Sequence, residues 1–279
     1  MKKIFVLLVS WLALSANLFA QDNITICHSP ATESFAVFAS NKDFNKEHAL
    51  PKPFVYKSET GKMISFRTPD GKTGNAFFIA EEESDNYVFV IHEWWGLNDY
   101  IKKEADKIHT DLGVNVIALD LYDGKIATTR DKAGEYMGAV KTDRAKAIIE
   151  GAIEFAGDNA NIGTIGWCFG GGWSLQTALM AGDKAVACVM YYGMPEKDVT
   201  VLKTLNAPVL GIFAKKDGWI TPQVVDNFKK NMADAGKELD VKMYDAVHAF
   251  ANPSNPDYDK EASADAYQYA LDLFKENFK

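Results

Sequence analysis

Seven consecutive residues, Gly166-Trp167-Cys168-Phe169-Gly170-Gly171-Gly172, constrain this chain more than any other stretch. Ile162-Gly163-Thr164-Ile165 leads into them as an apolar run of strand character, and Phe169 to Met180 reads as a helix. A strand, a tight turn and a helix therefore follow one another, with one reactive side chain at the tip of the turn. Small residues two before and two after Cys168 let strand and helix approach closely while the cysteine takes a strained backbone conformation. The competing reading is a buried structural cysteine in a glycine-rich turn. The rest of the chain discriminates between the two.

The pattern resembles the nucleophile elbow of α/β-hydrolases, Gly-x-Ser-x-Gly, with cysteine in place of serine. That architecture orders its triad as nucleophile, acid, histidine. Of the five histidines, His28, His48, His92, His109 and His248, only His248 follows Cys168. Pro208 to Ala214 is an apolar run of strand length, and Asp217 lies just past it, where open α/β sheets carry their sites. Leu239 to Tyr244 alternates like a strand, and His248 sits in the loop that follows. Alone, Asp217 reads as a turn aspartate and His248 as a solvated loop histidine. Three residues in the right order, each after a strand, favour a Cys168-Asp217-His248 triad.

A further strand, Tyr87 to Ile91, precedes His92-Glu93-Trp94-Trp95-Gly96. In this architecture the loop after that strand supplies one oxyanion N–H and the residue after the nucleophile supplies the other. Those donors are Trp94 and Phe169. Glu93, between an apolar strand and two tryptophans, is poorly explained as a solvated carboxylate.

The combination resembles the dienelactone hydrolase family. The resemblance rests on Glu93 in His-Glu-x-x-Gly, Gly-x-Cys-x-Gly-Gly around Cys168, Asp217 after its strand, and His248-Ala249-Phe250-Ala251. Asp120-Leu121-Tyr122 and Tyr191-Tyr192-Gly193 fit as well, and the similarity runs from about Phe54 to Lys279. It implies an α/β-hydrolase fold, a mostly parallel central sheet with helices on both faces. It also implies hydrolysis of a lactone or carboxylic ester through an acyl-thioester on Cys168, with His248 and Asp217 completing the triad. Glu93 would hold the resting thiol and help deprotonate it when substrate binds.

The chain departs from the best-known members at the substrate carboxylate. They bind it with arginines, one of them four residues past the catalytic histidine, where this chain has Asn252. Only Arg67, Arg130 and Arg144 are available, and Arg130 alone matches the other arginine in position. Tyr192, Arg130 and Asn252 are therefore the candidate substrate-binding residues, and a bidentate carboxylate clamp is at best half present. A general esterase or peptidase on the same fold, or an exported binding protein without chemistry, stay open as alternatives.

The 279 residues are 47% hydrophobic and 24% charged, as in an ordinary soluble globular protein. A net charge of −8 disfavours nucleic acid and anionic membranes as partners and leaves a small molecule. Residues 1–20 read as a signal peptide: Lys2-Lys3, an apolar run from Ile4 to Leu14, and cleavage after Ala20, giving a periplasmic location with no membrane association after cleavage. The run is too short to span a bilayer comfortably. Residues 21–55 form an N-terminal extension and residues 56–279 the catalytic domain. Three cysteines allow no complete disulfide framework; Cys188 reads as a buried strand residue, and Cys27-His28 lacks the partner pair that a metal site needs. No metal or cofactor is expected, and oligomeric state is not legible.

In the extension, Ser29-Pro30 is expected to cap a short helix carrying Phe35, Val37 and Phe38, with Leu50-Pro51-Lys52-Pro53 as an extended linker. Ile64 to Arg67 and Asn75 to Ala80 form an edge hairpin around Pro69-Asp70-Gly71. Helices are expected from Asn98 or Asp99 to Gly113, from Asp131 to Gly157 in two pieces, from Thr221-Pro222 to Gly236, and from Glu261 to Phe278, with Val114 to Leu119 a buried strand. Trp94, Trp95, Trp167, Tyr122 and Tyr192 are the aromatic side chains expected to wall the pocket.

Overall fold

The computed structural model describes residue 35 and residues 37–278. The expected signal peptide, the Ser29-Pro30 cap and the Cys27-His28 pair lie outside the described residues. Among the described residues no helix is long and apolar enough to cross a membrane.

Eight strands form one sheet: β1 (Lys62–Arg67), β2 (Thr73–Ile79), β3 (Asn86–Ile91), β4 (Asn115–Leu119), β5 (Asn161–Trp167), β6 (Ala185–Tyr191), β7 (Val209–Ala214) and β8 (Leu239–Tyr244). Their spatial order is β1-β2-β4-β3-β5-β6-β7-β8. β1 pairs antiparallel with β2, and β2 antiparallel with β4; every later pairing is parallel. Central strands such as β4 and β7 are buried along their whole length, which is why they read as continuous apolar runs rather than as alternation. The hairpin forms at the edge as expected, with Gly71 in the left-handed region at φ 76°.

The helices are α1 (Lys42–Glu47), α2 (Asp99–Leu112), α3 (Arg130–Ala139), α4 (Thr142–Ala156), α5 (Phe169–Ala181), α6 (Val199–Leu202), α7 (Pro222–Ala235) and α8 (Lys260–Asn277). Their ends follow local chemistry. Asn98 caps α2 by accepting from the Tyr100 and Ile101 N–H groups, and Gly113 closes it in the left-handed region. Thr221 caps α7 ahead of Pro222, and Gly236 ends it in the same way. α2 buries only Ile101, Ala105 and Ile108, whereas α5 is buried almost all round. α5 packs so closely that a Cβ on Gly170 would stand 2.3 Å from the Ile91 carbonyl oxygen. One on Gly166 would stand 2.1 Å from the Gly170 carbonyl oxygen. Elbow and helix fit only because both positions lack a side chain.

Because β3 and β5 to β8 run parallel, their C-terminal ends open on one side of the sheet. Glu93, Cys168, Tyr192, Asp217 and His248 all lie in the loops there. The segment before β1 covers this edge. A 3₁₀ turn (Val37–Ser40) precedes α1, which Asn41 caps by accepting from the Asp43 and Phe44 N–H groups. Phe44 is fully buried, with ring centroids 5.5 Å from Trp94 and 5.4 Å from Trp219. The 50–60 stretch then runs without helix or strand along α2, where the Tyr56 N–H donates to Asp99 and Phe54 stacks on Tyr100.

Candidate active site

Cys168 sits at the tip of the β5–α5 turn with φ 57° and ψ −118°, a conformation open to few side-chain-bearing residues. Neighbouring backbone holds it: its N–H donates to the Tyr191 carbonyl and its carbonyl accepts from Gly171 N–H. Cys168, Tyr192 and Ala249 are three of the four non-glycine residues with positive φ among the described residues, and all three lie at this edge.

The side chains form a relay. Cys168 Sγ lies 3.3 Å from His248 Nε2. His248 Nδ1 lies 2.6 Å from Asp217 Oδ2. Asp217 Oδ1 accepts the backbone N–H groups of Trp219 and Ile220 at 2.8 and 2.9 Å. Cys168, Asp217 and His248 are 1%, 3% and 4% exposed. Burial alone would raise Asp217, but the His248 ring and the two backbone donors outweigh it and hold the carboxyl below its ordinary value. Burial would lower His248, but Asp217 and then the Cys168 sulfur, once ionised, outweigh it and raise it, which makes the ring the base that holds the proton the thiol gives up. Burial pushes the Cys168 thiol up, with His248 opposing, so the sulfur rests as a thiol. The Phe169 backbone N–H also bonds the sulfur and favours its ionised form.

Glu93 is close enough to the thiol to oppose its ionisation, yet its hydrogen bond goes elsewhere. Asn252 Nδ2 donates to Glu93 Oε2, and Glu93 Oε1 is buried without a partner among the described residues. The family resemblance implies a carboxylate holding the resting thiol; here the sulfur faces His248 instead, because the Asn252 amide draws the carboxylate to itself. Asn252 is fixed in turn, its Oδ1 accepting the Ser254 N–H and hydroxyl. Burial raises Glu93 to about 7.

The substrate-binding candidates fare differently. Tyr192 is fully buried beside His248, ring centroids 5.0 Å apart, with no partner for its hydroxyl among the described residues. Arg130 Nε donates to the His48 carbonyl at 2.6 Å, which ties the extension to α3. Arg144 is committed to Asp70, Asp123 and the Thr73 carbonyl. Of the expected aromatic walls, Tyr122 instead supports the fold, donating its hydroxyl to the Trp94 carbonyl. Trp95 packs on Trp94, ring centroids 4.8 Å apart. His92 is structural too: one ring nitrogen bonds the Glu93 carbonyl, the other accepts Leu121 N–H, and burial lowers it to about 4.

Reading the sequence missed His48. Its Nε2 lies 3.8 Å from Cys168 Sγ, its Nδ1 bonds the Phe44 carbonyl at 2.8 Å, and its ring packs on Trp94 and His248. Burial, then the nearby His248 charge, lower it to about 3, so it is neutral. The available signal was three phenylalanines, Phe35, Phe38 and Phe44, followed by a histidine, in a segment read as an N-terminal extension with a short helix and no part in the site. A cleft of about 440 Å³ opens beside this cover, reaching Glu93, Trp167, Tyr191 and Asn252 at its inner end and Lys103, Lys107 and Lys260 further out.

The dienelactone hydrolase family matches residues 75–278. The chain belongs to the dienelactone hydrolase family. It is thus a hydrolase of the ester and lactone class. "Protein usf" of Aquifex pyrophilus is 30% identical over 229 residues, covering 77% of this chain and 98% of its own length. A protein of Aquifex aeolicus named "Putative carboxymethylenebutenolidase" is 28% identical over 232 residues, 78% of this chain and all of its own. The crystal structure of a dienelactone hydrolase-like promiscuous phosphotriesterase from metagenomic libraries superposes with a TM-score of 0.66 at 22% identity. It covers 79% of this chain and 100% of its own, and shows the shared α/β-hydrolase fold.

Proposed function

We propose that this dienelactone hydrolase family member is an exported enzyme that opens a lactone or cleaves a carboxylic ester through a Cys168-His248-Asp217 triad. The observation carrying the reading is the unbroken line from Sγ to Nε2 at 3.3 Å and from Nδ1 to a carboxylate at 2.6 Å, at the end of a parallel sheet. The Aquifex aeolicus relative's name supports the same reaction class.

The chemistry then runs as follows. His248 Nε2 takes the thiol proton while Asp217 stabilises the ring cation that results. The thiolate attacks the substrate carbonyl, and the Phe169 and Trp94 backbone N–H groups receive the oxyanion, each donor worth roughly 3 kcal/mol in comparable sites. His248 returns the proton to the leaving alkoxide oxygen. Water, deprotonated by His248, attacks the acyl-thioester and restores the thiol. A resting thiol rather than a permanent thiolate suits an oxidising compartment, where thiolates are the first to oxidise. The cleft that ends at Glu93 and Asn252 is the opening nearest the triad through which a substrate would approach. Arg130 on the His48 carbonyl, Arg144 on Asp70 and Asp123, and the Asn252–Glu93 pair leave no arginine clamp at the triad, which favours a neutral lactone or ester over a carboxylate-bearing one, with the cleft lysines standing further out.

The test is kcat/KM for matched neutral and anionic lactones, aryl esters and peptides, on wild type and Cys168→Ala. Hydrolysis of neutral esters or lactones that disappears in Cys168→Ala supports the reading. Near-wild-type turnover in that variant, or turnover confined to peptides, overturns it. Export is tested by sequencing the N-terminus of the secreted protein, expected to begin at Gln21.

A further inference from the structure

Two imidazoles from opposite ends of the chain meet one thiol. His48 follows α1 and His248 follows β8, yet Nε2 of each faces Cys168 Sγ, at 3.8 and 3.3 Å. The three atoms all lie within 4.8 Å of one another, and all three side chains are buried. Each ring is held from behind. His48 Nδ1 bonds the Phe44 carbonyl and His248 Nδ1 bonds Asp217. A carbonyl and a carboxylate accept only, so in the neutral rings both Nδ1 atoms carry the hydrogen and both Nε2 atoms turn a lone pair toward the same point. Second-sphere acceptors of this kind orient metal-binding histidines.

We propose that His48, Cys168 and His248 form a binding site for a thiophilic divalent ion of the zinc type, which pins the N-terminal extension across the nucleophile and silences it. Tetrahedral zinc with Zn–S about 2.3 Å and Zn–N about 2.0–2.1 Å needs S···N edges of about 3.6 Å. The two observed edges bracket that value. One thiolate and two imidazoles suit borderline and soft ions, not magnesium or calcium, which seek oxygen. On binding, the Cys168 S–H bond breaks and its proton, together with any proton held on His248 Nε2, leaves to solvent. Sulfur and the two Nε2 lone pairs fill three positions, and water fills the fourth. The site borrows two residues of the proposed triad, but its existence is read by ligation and does not depend on turnover. His48 comes from outside the matched stretch 75–278, so the third ligand is supplied by this chain's extension while the other two come from the shared catalytic fold.

The experiment is titration of the purified protein with Zn²⁺ and Cd²⁺, followed by calorimetry, the cadmium–thiolate charge-transfer band and zinc X-ray absorption. The expected result is one ion per chain, a charge-transfer band, and a shell of one sulfur and two imidazole nitrogens. Cys27→Ala should keep all three features. Cys168→Ser should lose the band, and His48→Gln should bind at least tenfold more weakly. Because His48→Gln could also unseat the extension, the wild-type ligand shell reads the site without any variant. No stoichiometric binding, a shell with one nitrogen or two sulfurs, a band surviving Cys168→Ser, or full affinity in His48→Gln would each overturn the proposal.

Discussion

Replacing Glu93 by Gln should stabilise the protein strongly at pH 8 and only slightly at pH 5. The folded protein holds the Glu93 proton up to about pH 7, because burial penalises the carboxylate, whereas an ordinary glutamate releases it near 4.5. Between those values the folded state binds more protons than the unfolded one, so stability falls as pH rises through the window and levels off above it. The gap, at about 1.4 kcal/mol per pH unit, amounts to about 3 kcal/mol when Glu93 is fully ionised. Gln is near-isosteric, can accept the Asn252 amide through its carbonyl, and never ionises. Denaturant unfolding followed by tryptophan fluorescence at pH 5, 6, 7 and 8 gives the variant-minus-wild-type difference at each pH. That difference should grow from about 1 kcal/mol at pH 5 to about 3 kcal/mol at pH 8, the latter roughly 6–12 °C in Tm for a domain of this size. The denaturant slope should stay constant, so that the change is one of stability and not of compactness. Removing the carboxylate also removes a charge that opposes thiolate formation, so iodoacetamide should alkylate Cys168 at lower pH in the variant. A stability difference independent of pH, or a wild type more stable than the variant at pH 8, would falsify the buried-carboxylate account.

Three further perturbations bear on the site. His248→Gln and Asp217→Asn should each lower kcat/KM, by a factor on the order of 10⁴ for the aspartate by analogy with other triads. His92→Gln should keep the thiol's alkylation profile while costing about 1–3 kcal/mol of stability, since His92 bridges the Glu93 carbonyl and Leu121 N–H; a dead His92 variant beside an active His248 variant reverses the assignment. Gly170→Ala should destabilise by about 3 kcal/mol or more, because its Cβ would stand 2.3 Å from the Ile91 carbonyl oxygen; a Tm within a degree of wild type contradicts the packing. Arg130→Ala removes the charged donor that ties the His48 carbonyl to α3, so alkylation of Cys168 should speed up by roughly tenfold. An unchanged or slower rate means that the cover is held elsewhere.

Strand and helix positions were legible because each rests on neighbouring residues. β5 and α5 follow from an apolar run meeting three glycines, and α2 and α7 from caps at Asn98, Gly113, Thr221 and Gly236. The order Cys168, Asp217, His248 was legible for a topological reason: in a parallel sheet, residues that follow strands must gather at one edge, however far apart they lie in the chain. Side-chain partners were not legible, because they are set by the three-dimensional neighbourhood. Nothing local to Asn252 says that its amide faces Glu93, and nothing local to Arg130 says that it meets the His48 carbonyl. His48 is the sharpest case. In sequence it is a polar residue 120 positions before the nucleophile. Only the burial of Phe44 among Trp94, Trp219 and His248 carries its ring to within 3.8 Å of the sulfur. The sequence determined which residues could share the sheet's edge. Tertiary packing decided which atoms face the thiol, because burying three phenylalanines outweighs leaving the extension in water.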